Sequence, residues 1–176
     1  MAIVTGKYRP VYAKVSLELL EGFRPKSRRR GNIYKKILVP LDGSSLAETI
    51  LPHARNLARP EDAEIILLQV PVTSSTEFLA YNPTLASNII KDLEEESKAY
   101  LKRELARLKS EGAKVSGMTR EGPIAETILA VAKETKADAI AMCTHGRTGV
   151  QRLLMGSVAE KVVRLSHIPV VLLHPN

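Results

Sequence analysis

From Ile33 to the end of the chain, short apolar runs alternate strictly with longer stretches of helical spacing, and few folds can use such a pattern. Tyr34 to Leu41 turns wholly apolar at its centre, Ile37-Leu38-Val39, as a parallel strand covered on both faces should. Ala63 to Val70, Ala113 to Thr119, Ala137 to Met142 and Ile168 to Leu173 repeat the signal, with Ala113 to Thr119 half polar. Four helical stretches separate them. The first carries the stripe Leu46, Ile50, Leu51, Ala54, Leu57 and Ala58, and Pro52 inside it predicts a kink or an irregular turn. Leu85 to Ser110 is the longest, with Ile89, Ile90, Leu93, Leu101, Leu105 and Leu108 on one face and charges on the other. Gly122-Pro123 opens a third, and a fourth begins at Ser157. Ser45 with Glu48, and Ser157 with Glu160, have capping-box spacing. Residues 72–84 read as a loop long enough to be functional. Five strands and four helices in alternation predict one α/β domain: a doubly wound, five-stranded parallel sheet with helices on both faces, because right-handed crossovers place each helix against the sheet.

Charge divides the chain unevenly. Residues 1–33 hold eight basic side chains against Glu18 and Glu21, so six of the seven net positive charges lie there. A basic N-terminal extension over residues 1–32 and an α/β domain over residues 33–176 are therefore expected. Arg28-Arg29-Arg30 offers contact with nucleic acid or an anionic membrane surface; the plainer reading, a solvated tail, fits the composition better. No apolar run approaches the roughly 20 residues of a membrane helix. A single cysteine, Cys143, excludes an internal disulfide and suits a reducing, cytoplasmic setting.

In a doubly wound sheet, ligands bind beyond the carboxyl ends of the strands, where the winding reverses. Asp42-Gly43-Ser44, Val70-Pro71 and the segment Cys143 to Gly149 all fall at that edge, so residues distant in sequence are expected to converge. Gly146 and Gly156 suit a phosphate loop because their amides have no Cβ beside them, and Ser157 adds a hydroxyl at a helix start, where the helix dipole favours an anion.

The runs Lys36-Ile37-Leu38-Val39-Pro40-Leu41-Asp42-Gly43-Ser44, Thr144-His145-Gly146-Arg147, Gly156-Ser157-Val158-Ala159-Glu160 and Ile168-Pro169-Val170-Val171-Leu172 resemble the universal stress protein family over roughly Ile33 to His174. The resemblance implies a Rossmann-like sheet of the adenine nucleotide alpha hydrolase type and a stress-response regulatory role. The ATP-binding branch has a pattern of Gly, two residues, Gly, nine residues, Gly, then Ser or Thr. Gly146, Gly156 and Ser157 match it, and Cys143 stands at the first glycine. The resemblance further implies ATP, with or without Mg²⁺. Asp42 would meet the ribose or a phosphate-bound metal, Val70 the adenine edge through its backbone, and Gly146, Arg147, Gly156, Ser157 and Val158 the phosphates. It also implies a homodimer through the C-terminal strand, with a family member acting by protein contacts alone as the competing reading.

Several residues resist a catalytic reading. His145 has no partnered nucleophile nearby in the sequence, and His53, His167 and His174 lack zinc-ligand spacing. An adenylating or pyrophosphatase-type enzyme would want a glycine- and serine-rich loop after the first strand, but Pro40 to Ser45 has one glycine. Asp42 also has an alternative as a turn residue binding its own backbone, and Cys143 as a small buried side chain rather than a redox thiol.

Overall fold

A computed structural model describes residues 34–59, 62–71, 83–144 and 155–174. Its centre is a five-stranded, all-parallel sheet in the order β3-β2-β1-β4-β5. The strands are β1 (Lys36–Leu41), β2 (Glu64–Gln69), β3 (Val115–Thr119), β4 (Ala139–Cys143) and β5 (Val170–Leu173). The winding runs outward from β1 through β2 to β3, then returns to the other side of β1 for β4 and β5. The reversal therefore lies between β1 and β4, as a doubly wound sheet requires.

The helices are α1 (Ser45–Glu48), α2 (Leu51–Ala58), α3 (Pro83–Ser110), α4 (Ile124–Thr135) and α5 (Ser157–Leu165). Pro52 accounts for the split between α1 and α2. It lies in the first turn of α2, where its missing N–H costs nothing, whereas inside one continuous helix it would break the ladder. Gly112, at φ +80°, ends α3 in the left-handed region.

Strand side chains alternate between two cores. Ile37, Val39, Ile65, Leu67 and Ala141 pack under α1, α2 and α3 with Leu51, Ala54, Leu101 and Leu108. Leu38, Ile66, Leu68, Ile140 and Met142 pack under α4 and α5 with Ile128, Val131 and Val162. Burial on both faces explains why β1, β2 and β4 read as continuous apolar runs. β3 is an edge strand, and its Gly117 and Thr119 are exposed and half-buried.

Both helix starts assigned to capping boxes shift by one residue. Ser44, not Ser45, caps α1: its Oγ accepts from the Ala47 N–H at 3.1 Å. Gly156, not Ser157, is the N-cap of α5, and among the described residues no side chain caps that end. Ser157 is thus the first helical residue, with Glu160 donating its N–H to the Gly156 carbonyl at 2.9 Å. Among the described residues, no helix is long and apolar enough to cross a membrane.

Candidate functional site

Strand register decides which residues meet at the carboxyl edge. Leu41 lies opposite Gln69, so Asp42 and Val70 follow at the same height on adjacent strands. Cys143 lies opposite Leu173, and the Thr144 N–H donates to the Leu173 carbonyl at 2.8 Å. The Thr144 carbonyl in turn accepts from the Gly156 N–H at 2.8 Å, which draws the start of α5 back onto the end of β4. With neighbouring strands about 4.8 Å apart, Asp42, Val70, Thr144 and Gly156 share one rim. Gly146, Arg147 and His145 lie outside the described residues.

The start of α5 has the chemistry of an anion site. Gly156 enters with φ −72° and ψ 154°, Ser157 is exposed and Val158 half-buried, and among the described residues no side chain caps the first turn. Such amides carry the positive end of the helix dipole and need an acceptor from outside the helix.

Asp42 has a local task. Its Oδ1 accepts from the Ser44 N–H at 2.9 Å and from the Ser44 hydroxyl at 2.6 Å, closing the turn in which Gly43 takes φ +83°. This is the turn role open to any Asp between strand and helix, and it fixes the carboxylate at the rim.

Cys143 faces inward. Its thiol contacts the Thr49 hydroxyl at 3.3 Å and the Leu46 carbonyl at 3.3 Å, under α1, and the residue is 7% exposed. Burial pushes the thiol pKa up, partly offset by its hydrogen bond with Thr49. The side chain at the first motif position is therefore part of the core beneath α1, and a buried protonated thiol is a poor nucleophile.

A cavity of about 50 Å³ opens between the ends of β1 and β2 and the middle of α3, with Asp42, Gly43, Gln69 and Val70 on one wall and Ser97 and Tyr100 on the other. The sequence reading did not single out Gln69, Ser97 or Tyr100. Gln69 carried a usable signal: it is the polar residue in a strand whose neighbours Leu67, Leu68 and Val70 are all buried. Ser97 and Tyr100 gave none, because they lie 27 or more residues away in sequence on a mostly charged helix.

A doubly wound parallel sheet, with a helix start drawn onto the end of β4 beside its reversal point, defines a Rossmann-like α/β protein. Residues 33–174 match the universal stress protein family, and the chain belongs to that family. Universal stress protein MJ0531 of Methanocaldococcus jannaschii is 37% identical over 145 residues, covering 82% of this chain and 84% of that protein. The solved structure of MJ0577 from the same organism aligns with a TM-score of 0.74 at 31% identity, covering 82% of this chain and 98% of that one. A family protein from Arabidopsis thaliana, solved with AMP bound, shares the fold at 15% identity and a TM-score of 0.59, over 81% of this chain and 92% of that one.

Proposed function

We propose that this chain is a stress-response regulatory protein that binds ATP at the carboxyl rim of its sheet. The observation that carries the reading is the hydrogen bond from Gly156 N–H to the Thr144 carbonyl at 2.8 Å, which draws the start of α5 onto the end of β4, the strand next to β1. Phosphate oxygens suit the first-turn amides of α5 and the Ser157 hydroxyl. The Val70 backbone, at the end of β2, suits the polar edge of a base. The fold accommodates an adenine nucleotide in the Arabidopsis protein with AMP.

The residues present also fit a phosphate-bound Mg²⁺ better than a protein-held one. Among the described residues no group of three His, Cys, Asp or Glu side chains is placed to hold a metal. Mg²⁺ keeps several waters and accepts one carboxylate plus phosphate oxygens, so Asp42 is the residue that would meet it. Gly146 and Arg147 are proposed to complete the phosphate contacts, as the family pattern implies. The basic residues 1–32 are proposed to form an extension separate from the α/β domain.

Ser157→Asp tests the reading directly. A carboxylate in the first turn of α5 favours the helix dipole, by about 0.3–1 kcal/mol, while repelling a triphosphate. Calorimetric titration with Mg·ATP should show binding to the wild type and none to the variant, with the variant's thermal midpoint unchanged or raised. Absence of binding by the nucleotide-free wild type at millimolar Mg·ATP would overturn the proposal.

A second reading rests on β5, which is an edge of the sheet among the described residues, with Leu165 nearby in sequence and 45% exposed. Open strand edges seek backbone partners, so two copies pairing through β5 form a homodimer that acts by protein contacts. Light scattering after size exclusion separates a monomer from a dimer, and Val171→Pro on that strand should abolish a β5-mediated dimer.

A further inference from the structure

An open groove of about 440 Å³ runs along the outer edge of the sheet, between α3 and the edge strand β3. Its floor is apolar, with Leu101, Leu105 and Ala106 of α3 beside Gly117 of β3. A Cβ at Gly117 would stand 3.1 Å from Leu105 Cδ1, so the glycine lets helix and strand approach closely there.

The edge supplies hydrogen-bonding groups. The Ile65 N–H donates to the Lys114 carbonyl at 2.8 Å, and the Arg120 N–H donates to the Gln69 carbonyl at 3.1 Å. Backbone groups in a parallel ladder alternate in direction, so Lys114, Ser116, Met118 and Arg120 face β2 while Val115, Gly117 and Thr119 face outward. Arg120 Nη1 donates to the Thr119 carbonyl at 3.3 Å; the Gly117 N–H and carbonyl, at the centre of the edge, have no partner among the described residues. Such groups are a template for another strand.

Charge selects the occupant. Among the described residues, the charged side chains lining the groove are Lys98, Lys102 and Lys109, all exposed, with no carboxylate beside them. Spaced at i, i+4 and i+11, they form one stripe of α3. Lys98 also pairs with Glu94 at 3.1 Å, in an exposed contact that exchanges readily. A second copy of this chain would set one lysine stripe against another, and residues 1–33, with eight basic side chains against two acidic, are repelled in the same way. An acidic strand fits in sign and in spacing: helix residues four apart rise about 6 Å, and alternate strand residues about 6.6 Å. Carboxylates on one face of an added strand therefore keep step with the lysines, while their methylene stems cover Leu101 and Leu105.

We propose that the groove between α3 and β3 is a docking site for an extended acidic segment of a partner protein, which joins the sheet beside β3 and turns its carboxylates to Lys98, Lys102 and Lys109. Main-chain hydrogen bonds supply affinity and the lysines choose the sign of the partner. The site is independent of the ATP-binding reading, because no residue of the groove is assigned to the nucleotide.

The probe is a peptide of about ten residues alternating Glu and Val, long enough to span β3, with a counterpart carrying Lys for each Glu. Both are titrated by fluorescence anisotropy against the full-length chain. The Glu peptide should bind, and weaken several-fold as salt rises from about 50 to 300 mM, while the Lys peptide should not bind. Lys102→Glu combined with Lys109→Glu should weaken the Glu peptide by about tenfold or more and admit the Lys peptide. Lys102→Gln, a milder change, should move the Glu peptide in the same direction. Thr119→Pro removes an outward N–H without breaking a ladder bond, so it should weaken the Glu peptide while the thermal midpoint holds within a few degrees. Equal binding of the two peptides, or a Glu peptide indifferent to the lysine changes, overturns the proposal. Binding that Thr119→Pro leaves intact reduces the contact to charge alone and overturns strand addition. A dimer in light scattering that Thr119→Pro dissolves assigns the edge to a second copy and overturns it as well.

Discussion

Cys143 stands at a motif position where the direction of the side chain is set by the fold, and it is the small buried side chain that was the alternative to a redox thiol. The family pattern has glycine there, so the direction of the cysteine side chain decides whether it meets a ligand or the core. In the fold, Sγ is turned beneath α1, 3.3 Å from the Leu46 carbonyl. Cys143→Gly should therefore leave nucleotide affinity within about twofold. It should lower stability by about 2 kcal/mol in urea unfolding, from lost burial and a more flexible strand. The thiol also has a pH signature. Burial raises its pKa in the folded chain, so the unfolded chain loses the proton first. The contribution is intact below the unfolded value of about 8.5 and declines as pH climbs towards the folded one, with a limiting slope of about 1.4 kcal/mol per pH unit. Unfolding curves of wild type and Cys143→Ala, compared between neutral and alkaline pH, should diverge with that sign; parallel curves would contradict it.

Among the elements, α3 combines a charged exterior with a buried carboxylate. Glu104 is 3% exposed and accepts from Arg103 Nε at 3.1 Å and from Arg107 Nη2 at 2.7 Å, while Arg103 also approaches Glu48 of α1 at 3.8 Å. Charge runs on a helix normally mean a solvated face, and most of α3 obeys. Glu104 departs because the helix faces α1 there. The two sides of the pair should respond unequally. Arg107 is about half exposed and rehydrates when it loses a partner, whereas Glu104 cannot. Arg107→Ala should cost about 2 kcal/mol, and Glu104→Gln, which keeps an acceptor and removes the buried charge, about 1 kcal/mol or less. Denaturant midpoints of the two variants give the order, and the reverse order would mean that Glu104 reaches solvent. The helix caps teach a related lesson. Ser44 and Ser45 are both competent capping residues, and Asp42 decides between them by holding the Ser44 N–H and hydroxyl. At α5 the glycine takes the cap and leaves the serine exposed.

For the molecule as a whole, strand order decides which chain segments meet at the carboxyl rim. The order β3-β2-β1-β4-β5 puts the ends of β1, β2 and β4 side by side, so one ligand can touch segments separated by over 100 residues in sequence. A ligand seated there bridges both halves of the sheet and stabilises the fold as a unit. Mg·ATP at 100 times its Kd should add about 2.7 kcal/mol to the unfolding free energy, read as a rise in thermal midpoint that grows with ligand concentration. A rise that saturates at one equivalent with no concentration dependence would point to something other than mass action.

Strand and helix identities were legible because burial on two faces leaves a continuous apolar signature in β1, β2 and β4, and helices with one buried face leave a periodic one. Asp42 and Val70 were legible as rim residues because Asp42 directly follows an apolar run and Val70 closes one. Ser97 and Tyr100 were not, since nothing local marks residues of a charged helix as facing a cavity at the end of a distant strand.

By itself, then, the sequence determined the kind of fold and its parallel sheet, since apolar periodicity acts over a few residues. Only the tertiary structure decided that Cys143 points into the core, that Gly156 rather than Ser157 caps α5, and that Gln69 and Tyr100 line one cavity. Those outcomes depend on register and on packing between distant elements, which short-range patterns do not encode.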